Sequence, residues 1–156
     1  MRPYLASSAL ILALLVLTVC GYVAPVGHAQ STNDEVASQF VGAWEFVMTE
    51  QRQDDGTWVK TAAPPDRIGI IMYTPSGHMS VHLMRRNREI TPAYTAYFGR
   101  YSVNAQEGYV IHHRAGDLNE KNVGVDGQRF YLFAGDRLTL TVAPANRTRQ
   151  TWRLLK

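Results

Sequence analysis

The chain has 156 residues, a formal net charge of +3, and a composition of 46% hydrophobic and 19% charged residues. This is enough for one folded domain, and it excludes a disordered polyelectrolyte. The basic residues are spread along the chain and the densest run, residues 85–88, is short, so we expect no nucleic-acid partner.

The first predicted element is a secretory signal peptide over residues 1–29. Arg2 supplies a positive start, and residues 9–19 form an uncharged, mostly apolar run that precedes small residues suited to cleavage after Ala29. The alternative, a retained membrane anchor, needs about 20 apolar residues, more than this run supplies. We therefore expect a periplasmic or secreted protein with no stable membrane insertion after cleavage. The single cysteine, Cys20, would leave with the leader, which excludes disulfides and thiolate chemistry.

The mature chain reads as a polar lead-in at residues 30–39, loose or briefly helical, followed by an all-β domain over residues 40–156. Short segments of alternating hydrophobicity are separated by Gly-, Pro- and Asp-containing turns, and no sustained helical period follows the leader. The nine predicted strands are Gly42–Arg52, Thr57–Thr61, Arg67–Tyr73, His78–Met84, Thr95–Val103, Gly108–Arg114, Gln128–Ala134, Arg137–Val142 and Arg149–Leu154.

The number and order of these strands predict an antiparallel up-and-down barrel of eight to nine strands in preference to a Greek-key sandwich. Closure also removes exposed strand edges, which suits an exported chain without cysteine.

Several blocks of residues resemble the bacterial and fungal lipocalin-like domain family. The first strand carries the Gly-x-Trp pattern at Gly42 and Trp44, and further blocks follow in family order over nearly the whole mature chain, at residues 69–81, 96–103, 110–113, 122–124, 129–130, 135–140 and 151–153. The resemblance implies a small lipocalin-type barrel. Similar barrels bind apolar ligands, and some act as cyclases or isomerases. The segment between Met84 and Tyr94 is shorter than in related sequences, which puts a lid there in doubt.

The resemblance also implies structural roles for Gly42, Trp44 and Arg153. Trp44 resembles the tryptophan that plugs the closed end of a lipocalin barrel, with an arginine of the last strand packed on its face. Arg153 or Arg149 would supply that cation, a contact worth about 0.5–2 kcal/mol when it is desolvated.

The candidate ligand-binding residues are polar or aromatic residues of the predicted strands. His78 and His82 alternate with Met79, Val81 and Leu83, so they are solvated if the apolar face packs inward and line the cavity if it does not. Two histidines four residues apart lie about 13 Å from each other in a strand and cannot share a metal ion. We expect no metal site and no cofactor.

A second candidate group depends on the register of one hairpin. Tyr101 faces either Ile111 or His112, and a slip of one residue reverses the face. In one register Tyr101, His112 and Arg129 form a polar cluster in an apolar wall, which suits the orientation of a small molecule, although the same trio suits a structural network. The full predicted set is Tyr73, His82, Tyr97, Tyr101, His112 and Arg129.

Three functions remain open at this level. The first is a carrier that binds a small apolar or amphipathic molecule in the barrel. The second is a cofactor-free isomerase or cyclase in which His112 and Tyr101 move a proton or stabilise an enolate. The third is an interaction module whose barrel is filled by its own side chains. The sequence indicates neither the ligand nor the oligomeric state.

Overall fold

A computed structural model describes residues 27–61, 66–87, 89 and 94–156. Residues 1–26, most of the predicted signal peptide, lie outside the described residues. The described elements are α1 (Gly27–Phe40), β1 (Gly42–Arg52), β2 (Trp58–Lys60), β3 (Arg67–Tyr73), β4 (His78–Arg85), β5 (Tyr94–Asn104), β6 (Tyr109–Asp117), a short 3-10 turn (Glu120–Asn122), β7 (Asp126–Ala134), β8 (Arg137–Val142) and β9 (Thr148–Leu154).

The strands form a closed antiparallel barrel, which confirms the predicted fold class. Strands β3 to β9 are hydrogen-bonded in chain order, and β1 pairs with both β3 and β9, so eight strands close on themselves. The predicted second strand is real but stays outside the closed cylinder, because β2 pairs only with the last residues of β1. Period-two alternation places one face of each strand inward, and these faces make the core.

An ion pair between β1 and β9 also helps to hold the extra strand β2 against the barrel. The Arg149 guanidinium donates to both carboxylate oxygens of Glu50, at 2.7 and 3.1 Å, and Glu50 is only 7% exposed. The same guanidinium lies over the Trp58 ring of β2, 4.4 Å from its centroid. A bidentate pair in a partly buried place is stronger than an exposed one, so Arg149 links the extra strand to the paired β1 and β9.

The lead-in is more ordered than the sequence predicts. Residues 27–40 form a 14-residue helix that begins before the expected cleavage site, so the helical form of the lead-in is the one observed, and it is longer than the sequence predicts. Its apolar residues are few, and the helix is held by its end: Phe40 is fully buried and Val36 packs on the core. Asn33 accepts a hydrogen bond from the backbone of Ala105. Among the described residues, no helix is long and apolar enough to cross a membrane.

Helix α1 closes one end of the barrel with an aromatic cluster. The Phe40 ring packs edge-on against three aromatic rings of β3 and β7, with centroids 4.9–5.3 Å apart. The indole N–H of Trp44, 2% exposed, donates to the Phe40 carbonyl at 2.8 Å. Gly42 precedes it with φ +140°, and a side chain there would meet Leu154. Trp44 therefore fastens the helix to the barrel end.

The prediction that an arginine of the last strand packs on the face of Trp44 is wrong. Arg153 lies opposite Glu45, on the other side of β1 from Trp44, and forms an exposed ion pair with it. Neighbouring strand residues point to opposite faces, so an arginine opposite Glu45 cannot reach the indole. Trp44 packs instead on the Phe133 ring, with centroids 6.1 Å apart.

The pairing of β5 with β6 is interrupted by a β-bulge. Gly99 faces Arg114 and Tyr97 faces Asp117, so β6 has one residue more than β5 in this stretch. A Cβ on Gly99 would lie 1.9 Å from the His113 carbonyl oxygen, so this close approach requires glycine. Arg114 faces inward in regular alternation with His112, and the extra residue turns Asp117 inward as well.

Candidate functional site

His112 lies at the centre of a polar cluster on the inner wall of the barrel. It is 1% exposed. Residues directly opposite each other on neighbouring strands share a face, so its partners Tyr101 on β5 and Gly127 on β7 also face inward. The register in which Tyr101 faces His112, one of the two alternatives that the sequence left open, is therefore the one observed.

Each ring nitrogen of His112 forms a hydrogen bond with a tyrosine hydroxyl group. The Tyr73 hydroxyl lies 2.8 Å from Nε2, and the Tyr97 hydroxyl lies 3.0 Å from Nδ1. Tyr73 reaches the ring from β3, on the far side of the barrel, and Tyr97 from the adjacent β5. The ring is thus fixed by hydrogen bonds from two walls, a polar network inside an otherwise apolar core.

Arg129 is the cation of this cluster. It lies opposite the buried Val110 and therefore faces inward. Its guanidinium spreads over Gly127, since a Cβ on that glycine would lie 3.2 and 3.4 Å from the two terminal nitrogens. One of these nitrogens donates to the Gln128 carbonyl at 2.8 Å. Because Gly127 has no side chain, the Arg129 guanidinium can lie over it, next to His112.

A second arginine, Arg114, joins the cluster with a carboxylate that the sequence did not identify. Arg114 lies over the Tyr97 ring, 5.8 Å from its centroid, and donates through Nε to the Val125 carbonyl at 2.8 Å. It also contacts Asp117 at 3.4 Å, and the Asp117 side chain is only 5% exposed. The inner wall therefore holds two guanidinium groups and one carboxylate.

Tyr101 is inward-facing but belongs to the closed end of the barrel. Its hydroxyl donates to the Thr74 carbonyl at 3.1 Å, and its ring packs on Tyr73 with centroids 4.9 Å apart. Because the hydroxyl is used on the β3–β4 turn, Tyr101 contributes its ring to the cluster and not a hydrogen bond to His112.

His82 lies on the outer face, away from the other candidates. Met79, Val81 and Leu83 are buried, whereas His82 is exposed and hydrogen-bonds to the Tyr94 hydroxyl at 2.6 Å. The apolar face of β4 packs inward. Of the two alternatives that the sequence left open for this strand, the one in which the histidines are solvated is therefore observed. His82 borders a groove of about 320 Å³ together with Phe98 and Leu118, and the lining of this groove also includes the inward-facing Tyr97 and Asp117.

Burial and the two arginines keep His112 neutral. Its pKa lies well below the ordinary 6.5, first because burial penalises the charged ring and then because Arg129, Arg114 and His113 repel a further positive charge. Burial raises the pKa of Tyr73 and Tyr97. A neutral imidazole between two neutral phenols donates one proton and accepts another.

The depressed pKa of His112 makes the stability depend on pH in a predictable way. In the unfolded chain the imidazole takes up a proton near pH 6.5, whereas in the folded protein it does so only at lower pH. Between these values the unfolded state binds more protons, so the contribution of His112 is complete above pH 6.5 and falls on acidification by up to about 1.4 kcal/mol per pH unit.

This dependence can be isolated with the variant His112→Leu. Urea unfolding at several pH values below 6.5 should show the wild type losing stability faster than the variant, because the carboxylates common to both cancel in the comparison. Parallel pH profiles would contradict a neutral buried ring. The ionisable groups that face this ring or lie beside it are present in both proteins: Tyr73, Tyr97, Tyr101, His113, Arg114, Asp117 and Arg129.

A separate chain of hydrogen bonds lies on the outer face of β5 to β7. The Ser102 hydroxyl lies 2.8 Å from His113 Nε2, and His113 Nδ1 lies 2.9 Å from an Asp126 oxygen. The order of groups is that of a nucleophile, a base and an orienting acid. Ser102 and Asp126 are exposed, however, and water screens such a pair. We interpret it as a surface link between three strands.

Over the described ranges, no three His, Cys, Asp or Glu side chains form a metal site.

A closed antiparallel barrel of eight strands, with a small polar cluster on its apolar inner wall, defines a lipocalin-type barrel. A comparison with family models agrees: the lipocalin-like domain matches residues 41–93 and 89–155. The chain therefore belongs to the lipocalin-like domain family, as the resemblance in the sequence predicted. A barrel of this type supports ligand binding in general. No curated protein matched the chain.

Proposed function

We propose that this protein is an exported carrier that binds a small apolar or amphipathic molecule inside its barrel. The observation that carries the proposal is the polar cluster around His112 on an inner wall that is otherwise apolar. Binding sites for small molecules are lined mainly by apolar groups and use a few fixed polar groups for orientation. Val81, Leu83, Val110 and Leu140 supply the apolar lining.

Partial exposure of inward-facing side chains favours a hollow barrel over a filled one. Tyr97 and Arg129 face inward, next to the buried His112, and yet both keep an intermediate exposure. In a barrel packed solid with its own side chains, such residues would be buried. This partial exposure supports a ligand site at Tyr97 and Arg129, beside the buried His112.

No observation favours the isomerase or cyclase alternative. Both ring nitrogens of His112 are hydrogen-bonded and the ring is buried, so a substrate would reach it only through the Tyr97 hydroxyl. The enzyme hypothesis stays a prediction from the sequence.

The test is binding of the neutral fluorescent probe N-phenyl-1-naphthylamine by the purified protein. We expect saturable binding with an increase in fluorescence. The variant Phe98→Ser, which disrupts the apolar outer groove where Phe98 is 60% exposed, should bind the probe as the wild type does. Loss of binding in this variant would place the probe in the groove lined by Phe98 and Leu118, and not beside His112 and Arg129. No binding by either protein, with no thermal shift across a metabolite panel, would indicate a filled barrel.

Native mass spectrometry of protein purified from its own host tests the remaining parts of the proposal. The mature chain is expected to begin at Gln30, and a co-purified apolar or amphipathic compound is expected to be released at higher collision energy. A chain that retains residues 1–29 would contradict export by cleavage. Removal of those residues leaves Asn33, Val36 and Phe40, which hold helix α1 to the barrel.

A further inference from the structure

The hydrogen-bond donors of the inner cluster can be assigned from the burial of Tyr73. This side chain is 2% exposed, and among the described residues its hydroxyl has a hydrogen bond only to His112 Nε2. If Nε2 carried the imidazole proton, the Tyr73 hydroxyl would have to accept it, and its own proton would be buried without an acceptor, which is costly. Tyr73 therefore donates to Nε2, and the imidazole proton is on Nδ1.

This assignment fixes the role of Tyr97. The Nδ1–H group of His112 donates to the Tyr97 oxygen, 3.0 Å away. The hydroxyl proton of Tyr97 then points away from the imidazole and is available to a ligand. Tyr97 lies opposite the buried Val81 on β4, so it faces inward, and the residue as a whole is only partly buried.

Arg129 adds further donors at the same place. A hydrogen bond and the positive charge of Arg129 both act on Tyr97 and oppose the effect of burial on the pKa of that phenol. Among the described residues, no carboxylate lies within 4.0 Å of the Arg129 guanidinium, whereas Arg114 is paired with Asp117. Arg129 is thus a half-buried cation without an anion, next to a hydroxyl that has a proton to donate.

We propose that the ligand carries an ionised carboxylate, held by the Arg129 guanidinium and the Tyr97 hydroxyl, with its apolar part along the inner wall of the barrel. This inference rests on the proposed function and specifies the chemical class of the ligand. A planar guanidinium matches a carboxylate in geometry and charge. An alcohol would bring no negative charge to balance the Arg129 guanidinium, and an amine would be repelled by Arg129 and Arg114.

The test compares acids with alcohols of the same carbon skeleton. Displacement of N-phenyl-1-naphthylamine at pH 8 gives the affinity of the wild type for dodecanoic acid and dodecanol, and for 2-naphthaleneacetic acid and 2-naphthaleneethanol. We expect the acid of at least one pair to bind about 10-fold to 100-fold more tightly than its alcohol, as for a hydrogen-bonded charge. Arg129→Met should remove this preference, and Arg129→Lys should keep part of it.

Arg153→Met serves as the matched control, because Arg153 lies on the outer face in an exposed ion pair with Glu45. It should keep the wild-type preference. Thermal unfolding of every variant shows that it is folded. If Arg129→Met does not fold, Tyr97→Phe and Arg129→Lys carry the test, and each should reduce the ratio of the two affinities.

The outcomes separate the two proposals. Equal affinities for acid and alcohol in the wild type, with probe binding intact, would overturn the carboxylate inference and leave the carrier function standing. An acid preference that survives in Arg129→Met would also overturn it. No binding of the probe and of any test compound would overturn the carrier function and the inference together.

Discussion

Replacement of Trp44 by alanine is expected to lower the free energy of unfolding by about 3–5 kcal/mol. The indole is 2% exposed and packs on Phe133, so its removal leaves a cavity at the closed end of the barrel. It also removes the hydrogen bond to the Phe40 carbonyl, which fastens helix α1 to that end. Urea unfolding followed by far-UV circular dichroism measures the loss.

Two further variants show whether the position or the residue type is responsible. Trp58→Ala deletes the same side chain from the partly exposed β2, where its ring packs on the Arg149 guanidinium, and should cost about 1 kcal/mol or less. Trp44→Phe keeps a ring in the core and removes the indole donor, so its effect should lie between the two. Equal losses for Trp44→Ala and Trp58→Ala would show that Trp44 has no special role.

The variant His112→Leu is expected to destabilise the fold by about 1–3 kcal/mol, although leucine is apolar and similar in volume. The change leaves the Tyr73 hydroxyl buried without its hydrogen-bond partner among the described residues. A buried hydroxyl that has lost its partner costs more than the hydrogen bond contributed. Chemical denaturation at pH 8, where the wild-type imidazole is neutral, measures this term apart from the pH effect.

The double variant His112→Leu/Tyr73→Phe tests the reason for this loss. Removal of the Tyr73 hydroxyl, which has lost its partner, should recover part of the stability. Replacing both members of a buried hydrogen-bonded pair by apolar groups is often nearly neutral. His113→Leu is the matched control at the next position, where the imidazole lies on the outer face. It should change the stability by about 0.5 kcal/mol or less. A loss in His113→Leu as large as that in His112→Leu would contradict the assignment.

The strands were predictable from the sequence because period-two alternation and turn residues mark them directly. The same signal decided the face of β4, where Met79, Val81 and Leu83 contrast with His78, Ser80 and His82. It could not decide the face of β6. His112 and His113 are neighbours of the same type, and only the hairpin register shows which one faces inward.

Three members of the cluster, Arg114, Asp117 and Gly127, were not in the predicted set, and the last two were missed for different reasons. Asp117 faces inward only because the bulge opposite Gly99 adds a residue to β6 and changes the alternation. Gly116 beside it was the available signal, since an isolated glycine in a strand often marks a bulge. Gly127 was missed because its role depends on Arg129, which shares its face and covers it. Such a contact has no pattern in the sequence.

Helix α1 was under-predicted because its sequence is almost uniformly polar. An amphipathic stripe is what reveals a surface helix, and among the α1 side chains that the structure describes, Val36 and Phe40 are the two that pack on the core. The helix is stabilised at one end by tertiary contacts of Phe40, which local sequence patterns do not report.

Because β1 pairs with β9, this barrel cannot close until β9 has been made. The pairs that close it join residues about a hundred positions apart, such as Glu50 with Arg149. Until β9 has been synthesised, β1 and β8 both present unpaired edges, which are templates for association with other chains. Contacts so distant along the chain also slow folding. A nascent or truncated chain without residues 148–154 would therefore be an open sheet prone to aggregation, although it contains nearly all of the inner wall.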